Sequence, residues 1–151
     1  MAQPATLPPF TLLVRVYWED TDAGGIVFYA NYLKFFERAR TEWLRSLGVE
    51  QRKLREQCGG MFVVSDTSLK YHAPARLDDR LIVTAELLNK GQASLTIRQR
   101  TLLKLEQSAD SAADPTDAAR LLCEGSIRIG WVDAATMRPA RIPQTILEVL
   151  K

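Results

Sequence analysis

From Tyr32 to Leu47 the residues Tyr32, Phe36, Ala39, Trp43 and Leu47 recur every three or four positions, and Phe35 and Leu44 widen the stripe. Lys34, Glu37, Arg38, Arg40, Thr41, Glu42 and Arg45 fill the other side. This spacing predicts a long amphipathic helix, with Arg40 on its charged side. Asn31 is placed to cap the start through its side-chain oxygen, and Gly48 to end the helix in a left-handed conformation. Such a helix runs roughly 26 Å at about 1.5 Å per residue. About five strands at roughly 4.8 Å each make a sheet of similar width, so one sheet can wrap one helix.

Elsewhere the period is two. Leu12, Val14, Val16 and Trp18 alternate with Leu13, Arg15 and Tyr17, which predicts a first strand beginning near Phe10. The segment Val49 to Gly60 is highly charged and closes on two glycines, as a short helical turn followed by a break. A second strand is expected from Met61 to His72. One face carries Val63, Ser65, Thr67, Leu69 and Tyr71, and the other Phe62, Val64, Asp66, Ser68, Lys70 and His72. Neither face is cleanly polar, which suits a strand with one side on the core and part of the other near a subunit boundary or a ligand. Ala73-Pro74-Ala75 ends it.

Leu81, Val83, Ala85 and Leu87 mark a third strand, and Asn89 to Gln92 a hairpin turn with Gly91 available for positive φ. The fourth strand puts Leu95, Ile97, Leu103 and Leu105 opposite Thr96, Arg98, Arg100 and Lys104. In the fifth, Leu121, Cys123, Ile127, Ile129 and Trp131 oppose Arg120, Glu124, Ser126 and Arg128. Pro143 opens a short terminal helix that packs Ile146, Leu147 and Leu150. Residues 1–9 read as a loose arm, and the low-complexity stretch 106–118 as a mobile insert, within one domain spanning 1–151. A strand, a helix and then four strands predict an α+β fold with one helix against an antiparallel sheet.

Composition narrows the function. At 151 residues and 46% hydrophobic, the chain has the size and apolar content for one domain with a core. Twenty basic and 18 acidic residues give a net charge of +2, too weak a field to attract nucleic acid, although anionic small molecules remain open. Cys58, Cys123 and the lone histidine, His72, form no spaced metal set, so neither a metal nor a cofactor is expected and the cysteines read as free thiols. The first residues lack a signal-peptide pattern and no apolar run approaches 18 residues. A cytoplasmic protein is expected, with any membrane contact peripheral.

The chemically unusual stretch precedes the long helix. Asp20 and Asp22 flank Thr21, Gly24 and Gly25 follow, and Ile26, Val27, Phe28 and Tyr29 lead into the helix start. First-turn amides and the helix dipole favour an oxygen that is gaining negative charge. A plain polar turn is the other reading of an Asp/Gly loop.

The string R-V-Y-W-E-D-T-D-A-G-G-I-V-F-Y-A-N-Y-L-K-F-F-E-R-A-R-T-E-W-L-R, with the later Y-H-A-P-A-R-L-D-D, resembles the signature of hot-dog-fold acyl-CoA thioesterases of the 4-hydroxybenzoyl-CoA thioesterase type. The likeness runs from Val14 to Ile142 and is strongest to the Tol-Pal-associated branch. It implies a five-stranded antiparallel sheet wrapped around the helix, and a homo-oligomer in which sheets join edge to edge as a dimer, often paired into a tetramer. It also implies hydrolysis of a short- or medium-chain or aromatic acyl-CoA to free acid and coenzyme A, with contacts to an acyl carrier or the inner membrane face as a further implication.

On this resemblance Asp22 is the catalytic carboxylate, the backbone N–H of Tyr29 binds the developing oxyanion, and Gly24, Gly25, Ile26 and Val27 hold the substrate. Asp20 shapes the loop. Many members of the branch carry a histidine where this chain has Tyr29, which a backbone role tolerates. An ionised carboxylate of ordinary acidity is a poor base at neutral pH but can attack a thioester directly, so base and nucleophile both stay open for Asp22. Arg76, with Lys70 and Arg80, is a candidate for the coenzyme A phosphates, against solvated charge. The stripe of Arg98, Arg100, Lys104, Arg120 and Arg128 reads as a solvent or subunit face.

His72 reads as a strand-end histidine partly in water, Glu37 as structural, and Cys58 as a free thiol. Two other functions are kept. A hot-dog dehydratase would need a histidine paired with a carboxylate, and a non-enzymatic acyl-binding or scaffold protein would act at the membrane through protein contacts.

Overall fold

The computed structural model describes residues 8–105 and 119–150. The expectations for residues 1–7 of the arm and for the insert 106–118 lie outside them. Five strands form one antiparallel sheet: β1 Phe10–Arg15, β2 Gly60–Tyr71, β3 Arg80–Lys90, β4 Ser94–Lys104 and β5 Ala119–Asp133. Their spatial order is β1-β3-β4-β5-β2, which leaves β1 and β2 as edges. The helices are α1 Tyr32–Ser46, α2 Gln51–Cys58 and α3 Gln144–Val149. The α+β architecture expected from the sequence is the one observed, with α1 packed on β1, β3 and β4.

The stripe of α1 meets the sheet as its spacing requires. Tyr32, Phe35, Phe36, Ala39, Trp43 and Leu44 are buried, and they pack with Leu81, Val83, Leu95, Ile97, Ile127, Ile129 and Trp131. Gly48, at φ +84°, ends the helix in the left-handed region, where a side chain would be strained. The helix start differs from expectation. Asn31 has helical dihedrals and no capping bond; its Nδ2 donates instead to the carbonyl of Asp20 at 2.9 Å. A 3-10 turn, Tyr29–Asn31, leads into α1 in place of a cap.

Arg40 is the largest departure on this helix. It is only 9% exposed, not on the solvent side. Its Nη1 donates to Oε1 of the fully buried Gln99, whose Nε2 donates to the carbonyls of Phe36 and Thr84. The β3–β4 pairing skips Thr84 and Ala85. Side chains fill that gap: Thr84 Oγ1 accepts the N–H of Arg100, and Gln99 serves the Thr84 carbonyl. Hydrogen bonds thus sustain the burial of Arg40, Gln99 and Thr84, while Arg100 Nε and Thr101 Oγ1 beside them are buried without a partner among the described residues.

Three extra residues shift strand phase. Ser65 in β2, Leu88 in β3 and Leu122 in β5 each lie between paired positions, as β-bulges. At Ser65 the pairs change from Val64 with Ile129 to Thr67 with Ile127. The helix-facing side of β2 is therefore Phe62 and Val64 before the bulge, then Thr67, Leu69 and Tyr71 after it, which explains why neither predicted face was cleanly polar. At Leu122 the bulge turns that residue into the core, while Leu121 pairs with Leu102 and is only half buried. The expected strand from Phe10 to Trp18 stops at Arg15, and Trp18 sits in a 3-10 turn, 80% exposed. Leu105 follows the end of β4 and is exposed. Gly91 turns the β3–β4 hairpin without a positive φ, its N–H donating to the Ser94 carbonyl at 2.8 Å.

Candidate active site

The Asp22 loop is a closed turn. The N–H of Asp22 donates to the Ile26 carbonyl at 2.9 Å, and the N–H of Gly25 to the Asp22 carbonyl at 3.0 Å. Gly25 takes φ +78° to make that return. Oδ1 of Asp22 accepts the N–H of Gly24 at 2.8 Å, so one carboxylate oxygen shapes the turn. The residue is exposed to solvent. Asp20, by contrast, is buried: its Oδ2 accepts the N–H of Tyr17 at 2.8 Å. Its carbonyl accepts from the N–H of Phe28 and from Asn31 Nδ2. That is the loop-shaping part expected of it.

Beyond the turn, Val27 is tied to the segment after β2 by its N–H to the Ala75 carbonyl at 2.9 Å, and Ile26 bridges Arg76. The chain then enters the 3-10 turn at Tyr29. Among the described residues the N–H of Tyr29 has no hydrogen-bond acceptor, as befits the first donor of a helical turn. Its side chain is 65% exposed.

Ile26, Val27, Tyr29, Tyr32, Tyr71, His72, Ala73 and Pro74 line an open pocket of about 370 Å³. Three of the four tyrosines of the chain meet in it. The Tyr71 ring stands edge-on to Tyr32 at 5.6 Å and to Tyr29 at 6.5 Å between centroids. Its hydroxyl donates to the Tyr29 carbonyl at 2.9 Å, while the Tyr32 hydroxyl accepts the N–H of Ala75 at 3.1 Å. Burial raises the pKa of both phenols, with Ala75 working against the rise at Tyr32 and the neighbouring Cys123 thiol adding to it at Tyr71. Both hydroxyls thus stay neutral at physiological pH. A larger hollow of about 740 Å³ lies at Arg15 to Glu19, Leu77 and Asp78, and it holds neither the Asp22 loop nor the helix start.

The structure brings Ile26, Val27 and Tyr29 together, with Asp22, Gly24 and Gly25 in the adjoining turn. Arg76 lies outside the cavity, exposed, its N–H held by Asp79 Oδ2 at 2.8 Å. Lys70 on β2 and Arg80 on β3 are three strand spacings apart, about 14 Å, and form no common patch. Glu37 is exposed and accepts a bond from Thr41. His72 is more engaged than a plain strand end: its Nε2 is 3.0 Å from Glu124 Oε1, and it lines the cavity. Cys123 is buried with its thiol pushed up to about 12 by burial, which leaves it a protonated packing group. Cys58 is exposed and unpaired.

Sequence reasoning missed Tyr32 and Tyr71 as cavity residues. For Tyr32 the signal lay in its polar tip, since a buried tyrosine hydroxyl needs a partner, whereas Tyr71, 46% exposed, is placed by the bulge in β2, which leaves no such signal. Among the described residues no cluster of side chains is arranged to hold a metal ion, and no helix is long and apolar enough to cross a membrane.

Comparison with known proteins gives this geometry its relatives. The acyl-CoA thioesterase YbgC of Haemophilus influenzae is 36% identical over 137 residues, covering 91% of this chain and 90% of its own. The acyl-CoA thioester hydrolase YbgC of Escherichia coli O6:H1 is 38% identical over 138 residues, covering 91% and 92%. Among solved structures, a 4-hydroxybenzoyl-CoA thioesterase mutant complexed with 4-hydroxybenzoyl-CoA superposes with TM-score 0.79 over 93% of this chain and 97% of its own. At 17% identity that likeness is one of fold alone. The model of the thioesterase superfamily matches residues 24–102, from the glycine turn through α1 and into β4. By that match and by the YbgC relatives, the chain belongs to the thioesterase superfamily.

Proposed function

We propose that the chain is an acyl-CoA thioesterase, hydrolysing the thioester to a free acid and coenzyme A. The observation that carries this reading is the unpartnered N–H of Tyr29, which stands at the wall of an apolar cavity one tight turn from the Asp22 carboxylate. A thioester carbonyl turning tetrahedral puts negative charge on its oxygen, and a fixed backbone donor at a helix start stabilises it. The acyl group occupies the cavity, whose tyrosine, isoleucine, valine and proline walls suit an uncharged group, aromatic or of short to medium length.

Two routes are open to Asp22. As a nucleophile its oxygen bonds to the acyl carbon, the C–S bond breaks to release the coenzyme A thiolate, and water cleaves the resulting anhydride. As a base it takes a proton from the water that attacks the acyl carbon. A single turnover in ¹⁸O-water tests for the nucleophilic route, since ¹⁸O enters the aspartate only when water opens the anhydride at the aspartyl carbonyl. The exposed cation Arg76 is assigned to the coenzyme A phosphates beside the Ile26 bridge.

The test is thiol release across a panel of acyl-CoAs. Asp22→Asn is expected to lower kcat by about 100-fold or more with the fold intact. Wild-type turnover in that variant would remove Asp22 from the mechanism. The His72–Glu124 pair beside the cavity supports one other reading, a dehydratase acting on a hydroxyacyl thioester. Loss of water from such a substrate, abolished by His72→Gln but not by Asp22→Asn, would establish it instead.

The working form is a homo-oligomer, a dimer or a tetramer, in the cytoplasm or at the inner membrane face. What supports the oligomer is β2, an edge strand among the described residues, exposed from Val64 to Ser68 and again at Lys70 and Tyr71, because an unpaired edge invites a partner. Light scattering that returned a single chain of 17.0 kDa would refute it.

A further inference from the structure

We propose that Tyr71 is a positioning residue of this reaction, its phenol holding the Tyr29 carbonyl, and with it the Tyr29–Ala30 peptide plane that follows the donor, so that the turn presenting the Tyr29 N–H keeps one conformation. The proposal rests on the thioesterase reading above and adds a residue that the family match does not assign.

The turn that carries the donor is weak by itself. It is a three-residue 3-10 segment, Tyr29–Asn31, and hydrogen-bond geometry in such turns is poorer than in an α-helix. Asp20 holds the residues on either side, through its carbonyl to Phe28 N–H and Asn31 Nδ2. Tyr29 lies between those two anchors. The Asn31 N–H holds the Phe28 carbonyl, in the peptide plane of the Tyr29 N–H, at 2.8 Å; among the described residues the donor from outside the turn that reaches the next plane, at the Tyr29 carbonyl, is the Tyr71 hydroxyl at 2.9 Å.

Tyr71 arrives there because of the extra residue in β2. The Ser65 bulge places Tyr71 opposite Cys123, on the helix side of the sheet. Without it the period-two alternation set by Phe62 and Val64 would turn Tyr71 to the opposite face. Tyr32 and Tyr29 then flank its ring edge-on, at 5.6 and 6.5 Å. These contacts limit ring motion and aim the hydroxyl at the carbonyl.

Magnitude separates this part from that of a catalytic group. Removing an oxyanion donor outright costs roughly 10²-fold to 10³-fold in rate. Removing one exposed hydrogen bond behind the donor only loosens it. Tyr71→Phe keeps the ring and is expected to lower kcat about fivefold, equivalent to about 1 kcal/mol, with KM within about twofold. In ¹⁵N-labelled protein the backbone amide signals of Tyr29 and Ala30 are expected to move while those of α3 stay in place.

Full kcat in Tyr71→Phe, or unmoved Tyr29 and Ala30 amides, overturns the proposal. So does a raised KM at unchanged kcat, which would make the phenol a substrate contact, or a loss as large as that of Asp22→Asn, which would make it a catalytic acid. Asp22→Asn separates the two readings. If that variant is inactive while Tyr71→Phe is fully active, the positioning role alone fails; if the wild type releases no thiol from any acyl-CoA, both fail.

Discussion

Replacing Gln99 by leucine removes the amide that joins the central helix to the sheet. Three bonds are lost: Arg40 Nη1 to Oε1 at 2.9 Å, and Nε2 to the carbonyls of Phe36 and Thr84 at 2.9 and 3.2 Å. The two carbonyl bonds are neutral, and the Phe36 oxygen sits in a helix that supplies its own ladder partner. The first bond dominates. Arg40 is buried, is in no ion pair among the described residues, and has its pKa lowered by that burial, with Glu37 opposing the shift. A hydrogen bond to a charged group is worth about 1.5–3 kcal/mol, and a buried donor left without a partner costs about as much. Gln99→Leu is therefore expected to destabilise by about 3 kcal/mol, which lowers Tm by roughly 6–12 °C in a chain of this size.

Urea unfolding followed by tryptophan fluorescence measures the change, with the m-value checking that the transition stays two-state. The decisive arm is the double variant Arg40→Met/Gln99→Leu. Once the charge is gone the orphaned donor is gone with it, and replacing both partners by apolar groups is close to neutral. The double variant should regain at least about half of the loss, a coupling of about 1.5 kcal/mol or more. Strictly additive losses would refute the assignment of Gln99 as the partner that makes a buried Arg40 tolerable.

Gly125→Ala should destabilise by about 1–3 kcal/mol, since its Cβ would lie 2.4 Å from Leu69 Cδ2 and 2.5 Å from the Ser68 carbonyl oxygen, which is backbone of the edge strand; an unchanged Tm would contradict that close approach. The Cys123 thiol, raised by burial from 9.0 to about 12, contributes stability that is complete below pH 9 and is lost as pH rises from about 9 toward 12. Cys123→Ala should flatten the alkaline fall in stability, by at most about 4 kcal/mol, and parallel curves for the two proteins would refute the assignment. Tyr29→Phe should keep kcat within about tenfold because the N–H survives; a loss matching that of Asp22→Asn would give the Tyr29 hydroxyl the catalytic part instead.

The local geometry of the candidate site was readable from the chain. Asp20, Asp22, Gly25 and Tyr29 stand within ten residues, and their geometry follows from near-neighbour rules: a side-chain-to-backbone turn at Asp22, a left-handed glycine, and unpaired donors at a helix start. The stripe of α1 was equally plain, because an apolar period of 3.6 has few other solutions. Arg40 and Gln99 were not. Each reads as polar by itself, and only their pairing, 59 residues apart in sequence, makes burial of both affordable.

Strand phase is the other thing a period-two pattern cannot carry, because one inserted residue exchanges the two faces and leaves no mark in composition. Ser65 and Leu122 do so on neighbouring strands, β2 and β5. They act on the same corner of the sheet. The shift at Ser65 brings Tyr71 opposite Cys123, and the shift at Leu122 directs its carbonyl to the N–H groups of His72 and Ala73, at 2.8 and 3.2 Å. Tyr71, His72 and Ala73 are consecutive, and all three line the cavity. One wall of the candidate site is thus built by two bulges, each of which alone would misdirect a strand. A variant that deletes Ser65 must therefore lose the Tyr71 contact to Tyr29 even though no cavity residue has been changed.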